Sequence, residues 1–402
     1  KKIYPCIICL GYVGLPLFMS LKKKFEVIGF DKDEKRVNEL KKFKDRNKEF
    51  SQMSLKLDKG CLITSNQDDI KNSNFYIVAV PTPINKNKNP DLTYVKSAFA
   101  TISKYIKSND IIFLESTVYP GTTLNICKKI IQKKNKNINF SLGYSSERIN
   151  PGDKIHNITN ISKVVSINAS KKIISSVKRV YSNVSKKIVF TKKINEAELS
   201  KLIENTQRDL NIGLMNEIMM LCDNANLDLN EVLRLANTKW NFLNFKPGLV
   251  GGHCLPVDPY YLSHYAKKLK FDTKIVLAAR KTNNFMEEFI LKKIISDIKK
   301  IKNYKKSKIV VLGLTYKPDV PDYRNSLALN IYQKLRKINK KITAYDTVIE
   351  SNFVKSNNIS NNLKEILKSK IFIVLVKHKQ IMRIIKIAKK NKKKIIDPLS
   401  LI

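Results

Sequence analysis

The stretch Ile7-Ile8-Cys9-Leu10-Gly11-Tyr12-Val13-Gly14-Leu15-Pro16 decides how the chain begins. It lies within Ile3 to Leu21, a run without charge that is flanked by lysines. A hydropathy scan marks such a run as a membrane span or a signal sequence. Pro5, Gly11, Gly14 and Pro16 make it a poor helix, and a second apolar run starts soon after, at Val27. A strand, a turn and the start of a helix fit better. Cys9 to Gly14 is then a G-x-G-x-x-G pattern whose first glycine is replaced by Cys9. At a helix N-terminus, the remaining glycines let a pyrophosphate approach the backbone. Asp31 ends the next strand, 20 residues after Gly11. A carboxylate there binds the ribose hydroxyls of NAD, and no arginine follows it directly to favour NADP.

A βαβ rhythm continues from this start. Val27 to Phe30, Tyr76 to Val80, Ile111 to Leu114 and Phe140 to Leu142 read as strands. Glu34 to Lys42, Asp91 to Ile106 and Thr122 to Gln132 read as helices between them. From Asn195 to about Ala225 the pattern is helical and free of proline, with further helices at Leu229 to Ala236 and Lys274 to Lys300. A second βαβ series begins at Ile309 to Leu312. It continues through a helix from Ser326 to Ile338 and strands at Ile342 to Tyr345, Ile371 to Val376 and Ile395-Ile396. The fold class is α/β: two Rossmann-like doubly wound domains joined by a long central helical section. The expected boundaries are 1–190, 191–300 and 301–402. The two α/β units share a style but show no close internal repeat. The central helix is expected to carry a homodimer interface, because its apolar residues lie on more than one side.

The formal charge of +42 would ordinarily suggest a nucleic-acid or membrane partner. The excess is almost entirely lysine, with only ten arginines. The lysines run from end to end, mixed with isoleucine and asparagine, and form no stripe interleaved with aromatics. Compositional drift explains the charge without a specific nucleic-acid partner or a membrane, and the expected location is the cytoplasm. Six scattered cysteines do not make a secreted disulfide framework. Cys6 and Cys9 form a C-x-x-C without a second pair, so no metal site is expected; they read as small buried residues.

The string Gly251-Gly252-His253-Cys254-Leu255-Pro256-Val257-Asp258-Pro259-Tyr260-Tyr261-Leu262 carries the chemistry. A thiol can add to an aldehyde and hold the acyl group as a thioester, and a carboxylate one helical turn on can help water release it. The preceding glycines would let a substrate lie close to the backbone. The same string also fits a small buried cysteine beside a turn.

Several motifs in order resolve that choice. Leu10 to Pro16, Val80-Pro81-Thr82-Pro83, Glu115 to Gly121, Glu147-Arg148-Ile149-Asn150-Pro151-Gly152-Asp153, the Cys254 string and Gly313-Leu314-Thr315-Tyr316-Lys317 together resemble the UDP-sugar 6-dehydrogenases. The resemblance runs over essentially the whole chain. It implies a four-electron oxidation of the C6 of a UDP-sugar, with NAD taking a hydride twice and Cys254 holding the intermediate until hydrolysis to a uronic acid. It implies Lys201 and Asn205, four residues apart on one helix, as stabilisers of an oxyanion. It implies Asp258, Glu147 and Thr117 in the water and proton steps. Around the cofactor it implies Gly11, Tyr12, Val13, Gly14, Asp31, Arg36, Thr82 and Thr117. Around the UDP-sugar it implies Glu147, Arg148, Lys201, Asn205, Gly251, Lys317 and Arg324. UDP-glucose enzymes usually have a lysine before the motif aspartate and no histidine before the cysteine. This chain has His253 and Val257 instead, and Glu115 to Gly121, Asn205-Thr206-Gln207-Arg208-Asp209 and Pro259-Tyr260-Tyr261-Leu262 resemble the UDP-N-acetylglucosamine or UDP-N-acetylgalactosamine branch of surface-polysaccharide synthesis. UDP-N-acetylmannosamine, UDP-glucose and a non-enzymatic polyanion-binding Rossmann-type protein are the alternatives. Ser146 stands where the family usually has proline.

Overall fold

The computed structural model describes the chain except residues 1, 48, 151, 152, 154, 156, 157, 350–352, 354–356 and 361. Pro151 and Gly152 of the quoted motifs thus lie outside the described residues. The chain divides into two compact units, 1–204 with 260–272 and 205–259 with 273–402.

In the first unit, the opening stretch forms strand β1 (Pro5–Ile8), a turn and helix α1 (Gly14–Leu21). Pro5 is tolerated because it is the first residue of its strand. Strands β2 (Ile28–Phe30), β3 (Leu62–Thr64), β4 (Phe75–Val78), β5 (Ile111–Leu114), β6 (Ser141–Ser145), β7 (Ser162–Ile167) and β8 (Lys187–Thr191) complete an eight-stranded sheet, ordered β3-β2-β1-β4-β5-β6-β7-β8. Only the β6–β7 pairing is antiparallel. The strand order reverses between β1 and β4, which opens a crevice at the carboxyl ends of these strands. Helices α2 (Glu34–Lys41), α3 (Thr93–Ile102), α4 (Lys128–Lys134) and α5 (Lys171–Tyr181) accompany the sheet. Its apolar core includes Ile7, Phe18, Phe75, Phe113 and Tyr181. No helix among the described residues is long and apolar enough to cross a membrane.

Helix α6 (Ile194–Asn224) is the long central helix, followed by α7 (Leu229–Ala236), α8 (Asp258–Lys268) and α9 (Lys274–Lys299). The division between units falls within α6, after Glu204, and within α8, after Pro259. The second unit carries a fully parallel sheet of β9 (Ile309–Leu312), β10 (Thr343–Tyr345), β11 (Ile359–Ser360), β12 (Ile371–Val374) and β13 (Lys394–Ile396), ordered β11-β10-β9-β12-β13. Helix α10 (Leu327–Ile338) and the Met286, Ile290 and Ile294 face of α9 share its core.

The leading turns of the two sheets repeat one another in hydrogen bonding. After β1, Cys9 N–H donates to the Phe30 carbonyl at 2.7 Å. Leu10 N–H donates to Asp31 Oδ2 at 2.8 Å and Asp33 N–H to Asp31 Oδ1 at 2.9 Å. After β9, Gly313 N–H donates to the Tyr345 carbonyl at 3.0 Å. Leu314 N–H donates to Asp346 Oδ2 at 2.6 Å and Val348 N–H to Asp346 Oδ1 at 2.9 Å. Cys9 has φ of +78° and Gly313 has φ of +82°. Cys9 therefore holds the left-handed backbone of the glycine it replaces. It follows the strand and is partly exposed rather than buried; Cys6, inside β1, is fully buried. The second unit differs in one respect: the ring of His378, fully buried, lies on Asp346, with Nε2 3.1 Å from Oδ2.

A buried carboxylate ties the loop after β5 to α6. Gly121 N–H and Thr123 N–H donate to Glu198 at 2.6 and 2.9 Å, and Thr123 Oγ1 donates at 2.7 Å. Glu198 thereby caps the helical segment that starts at Thr122 and continues into α4. Burial raises its pKa to about 7 despite these donors.

Two outcomes follow from this geometry. Cys9→Gly should stabilise the protein by about 1 kcal/mol, the cost of a side chain in the left-handed region less the entropy of glycine. Denaturant titration checks this, and a less stable variant would contradict it. The raised pKa of Glu198 means that its protonated form favours the folded state. Its contribution is full below its ordinary pKa near 4.5 and is lost as pH rises through about 7. In Glu198→Gln, stability measured across this window should decline less with rising pH than in the parent. Identical slopes would show that Glu198 does not titrate there.

Candidate active site

Of the six cysteines, Cys254 alone is exposed. That excludes the buried-cysteine reading of its string. The Cys254 carbonyl accepts from Val257 N–H at 3.0 Å and Asp258 N–H at 2.9 Å, so the chain turns at the thiol directly into α8. Asp258 is the first residue of α8 and is buried. Its Oδ2 accepts from Asn205 Nδ2 at 2.5 Å, and Arg208 donates to Asn205 Oδ1. The amide of Asn205 is thereby fixed in orientation between a guanidinium and a carboxylate.

The glycines before Cys254 serve a different approach from the expected one. A Cβ at Gly251 would sit 2.6 Å from the Asn325 carbonyl, and one at Gly252 2.8 Å from the Tyr316 ring. The space they free is filled by the chain itself. Gly252 N–H donates to Asn325 O at 3.3 Å, and Asn325 Nδ2 returns a bond to Gly252 O at 3.2 Å. His253 Nε2 lies 3.4 Å from Asp322 Oδ2, and Arg324 forks onto the same carboxylate at 3.0 and 2.7 Å. Burial pushes the Asp322 carboxyl up, but His253 and Arg324 hold it well below the usual carboxylate range. Upstream, Asn216 clamps Gly248 in both directions, at 3.1 and 2.8 Å, and also reaches Asn283, which bonds Asp209 beside buried Arg280. Lys317 is half-buried in the turn after β9, where its carbonyl accepts from Thr315 Oγ1.

In the first unit, the expected residues collect at the carboxyl ends of neighbouring strands. The Gly11 to Gly14 turn, with half-buried Tyr12 and Val13, follows β1, and Asp31 follows β2. Thr82 follows β4, Thr117 follows β5 and Glu147 follows β6. A Cβ on Gly11 would find only Cys9 Sγ, at 3.8 Å, so this side of the turn is open. An open turn at the start of α1, with a carboxylate beside it on β2, fits a dinucleotide. Arg36, expected at the cofactor, is buried instead; Nε bonds the Leu10 carbonyl at 3.0 Å and a terminal nitrogen bonds Asp45 at 2.8 Å. It braces the turn from within. Arg148, expected at the substrate, forks onto Glu204 and donates to the Ser162 carbonyl. Lys201 is buried on α6.

Glu147 is buried and accepts from Arg148 N–H and Ile149 N–H, both at 2.6 Å. Lys163 of β7 lies 3.1 Å from its Oε2 and 2.7 Å from Glu115 Oε2. Tyr181 donates to Glu115 Oε1 at 2.7 Å. Lys163, Tyr181 and Glu198 carry no expectation from the sequence, and Arg208 stands in a motif string without an expected role. Arg208 could have been found from its i, i+3 spacing to Asn205. Nothing distinguishes Lys163 among 66 lysines.

Comparison with known proteins follows the same order along the chain. The UDP-glucose/GDP-mannose dehydrogenase family matches through its NAD binding domain at residues 2–185, its central domain at 195–285 and its UDP binding domain at 310–401. UDP-N-acetyl-D-glucosamine 6-dehydrogenase of Salmonella typhi is 42% identical over 87% of this chain and 83% of its own. UDP-N-acetyl-D-mannosamine dehydrogenase of Methanococcus maripaludis is 34% identical over 86% of this chain and 79% of its own. The solved UDP-D-ManNAc dehydrogenase of Pyrococcus horikoshii superposes with a TM-score of 0.84 at 28% identity, covering 96% of this chain and 93% of that one. With an open dinucleotide turn, an exposed thiol and all three domains matched in sequence, the chain belongs to the UDP-glucose/GDP-mannose dehydrogenase family of NAD-dependent nucleotide-sugar dehydrogenases.

Proposed function

We propose that this protein oxidises the C6 hydroxymethyl group of UDP-N-acetylglucosamine or UDP-N-acetylgalactosamine to the uronic acid, through a thiohemiacetal and a thioester on Cys254. The observation that carries the reading is the exposure of Cys254 immediately before the helix that begins with Asp258, whose carboxylate holds Asn205. Hydride acceptance in both oxidations is the chemistry supplied by NAD when bound. The Gly11 to Gly14 turn and Asp31 hold that cofactor, and Asp31 would repel a 2′-phosphate. The Cys254 thiolate adds to the aldehyde carbon. Asn205 and Lys201, one turn apart on α6, stabilise the oxygen as charge develops on it. Asp258, Glu147 and Thr117 order water and move protons in thioester hydrolysis. Lys317, Arg324 and Arg148 serve the UDP-sugar. Residues 1–190 thus hold the cofactor, 191–300 carry the thiol and 301–402 bind UDP.

Higher identity to the N-acetylglucosamine enzyme of Salmonella typhi, 42% against 34% for the N-acetylmannosamine enzyme, supports this choice of sugar. His253 and Val257 point the same way. The product suits surface-polysaccharide synthesis in the cytoplasm. A homodimer through α6 is supported by Leu214 and Leu221, seven residues apart on one helix face and 54% and 60% exposed.

Cys254→Ser should lose uronic-acid formation at least a hundredfold, since a hydroxyl is a far poorer nucleophile than a thiolate. With the parent enzyme and a panel of UDP-sugars, two NADH per sugar acid are expected, fastest on the N-acetylglucosamine or N-acetylgalactosamine form. Full activity in Cys254→Ser would remove the thioester route, and preference for the N-acetylmannosamine form would reassign the substrate. The double variant Leu214→Lys/Leu221→Lys should shift a dimer to monomer in sedimentation; an unchanged mass places the interface elsewhere.

A further inference from the structure

The least expected feature of the first unit is a lysine with no access to water. Lys163 is 3% exposed in a chain whose other lysines mostly face solvent. Its ammonium lies between Glu115 and Glu147, with the Ser146 carbonyl at 3.5 Å as third acceptor. These three acceptors match the three donors of an ammonium. Glu115 is enclosed and also accepts from Tyr181. Glu147 sits where β6 ends, at the sheet edge that carries the cofactor turn, and its other oxygen is fixed by two backbone N–H groups.

We propose that Lys163 is a positioning residue: it holds the Glu147 carboxylate in one rotamer beside its ammonium, so that Glu147 accepts a proton or orients water rather than donating. This rests on the role assigned to Glu147 above. Among the described residues, the following groups face Glu147. Lys163 comes from β7 and Glu115 from the segment after β5, while Tyr181 of α5 bonds Glu115 and also acts on Glu147 electrostatically. Arg148, next in the chain, is turned to Glu204 of α6. One ammonium therefore serves two buried carboxylates. Burial and the charge of Glu147 push the Glu115 carboxyl up, while Lys163 and Tyr181 hold it down. Without the ammonium, two buried carboxylates would face each other, and at least one would take up a proton near neutral pH. Glu115, with its Tyr181 bond, and Glu147, with its two backbone donors, would compete for it.

The sign of the effect follows. Losing the cation raises the carboxylate pKa, so the acid limb of the kcat profile should move to higher pH. The test compares kcat and KM against pH for the parent and for Lys163→Met, Lys163→Arg, Glu115→Gln and Glu147→Gln. In Lys163→Met, the limb should move up by roughly one to three units. kcat should fall more than tenfold at pH 7 with KM for the UDP-sugar within about twofold, and activity should recover in alkali. Lys163→Arg should restore most of kcat. Glu115→Gln removes the competing carboxylate and should move the limb to lower pH, which decides the matter if Lys163→Met does not fold. A folded Lys163→Met with an unmoved limb, or an unmoved limb in Glu115→Gln, overturns the proposal. Full activity in Glu147→Gln overturns the role of Glu147 instead, whatever the lysine variants show.

Discussion

A carboxylate at the end of one strand, accepting one backbone N–H from the turn of its neighbour and one from its own following loop, is the contact on which both sheets rest. Asp31 holds the turn after β1, and Asp346 holds the turn after β9. Turn N–H groups in such a place have no sheet partner, and burying them unpaired would cost about 1–3 kcal/mol each. Each aspartate removes that cost and fixes where the following segment starts. In the first unit the turn presents an open face, with Gly11 clear of neighbours. In the second, His378 lies on the aspartate. Its Nδ1 accepts from Asp319 N–H at 2.8 Å, so Nε2 carries the proton that faces Asp346. The same device thus frames an opening in one sheet and an interior in the other.

The strand–turn–helix start, the long helix and the second βαβ series were legible because each has a strong period or a breaker at its edge. Ile309–Leu312 and Leu229–Ala236 form where the pattern put them. Strands β3, β7, β8 and β11 were not, being short or carrying lysine, serine and exposed positions that leave little apolar surface to mark them. The duplication of the turns was hidden because it resides in backbone N–H groups and two aspartates, while Cys9 and Gly313 differ in type. At the site, residues on a motif were readable and their partners were not. Asn205 and Asp258 are 53 positions apart, and no local pattern foretells that one amide meets the other's carboxylate. Lys163 was invisible because burial, not residue type, sets it apart.

The polar interior of the second unit explains how a flexible-looking string can present a thiol. Gly248 is clamped by Asn216, Gly252 by Asn325, and His253 and Arg324 share Asp322. These bonds fix the backbone that leads to Cys254 without covering its side chain. A charge-assisted bond is worth roughly twice a neutral one, so the Asp322 fork is the stronger of these holds. The long helix adds the amide of Asn205, itself held by Arg208. The thiol is left exposed while its surroundings are rigid, a combination that favours a reacting group over a packed one.

The arginines take on a different meaning once their contacts are known. Arg36, Arg148, Arg280 and Arg324 each place two or more nitrogens on a carboxylate, amide or carbonyl. Such planar forks are the one task that lysine, a compact point charge, cannot take over. Lysine can replace a solvated arginine at almost no cost. It cannot do so at a fork. In so lysine-rich a polypeptide, these four arginines therefore mark positions where planar geometry, and not charge alone, is required.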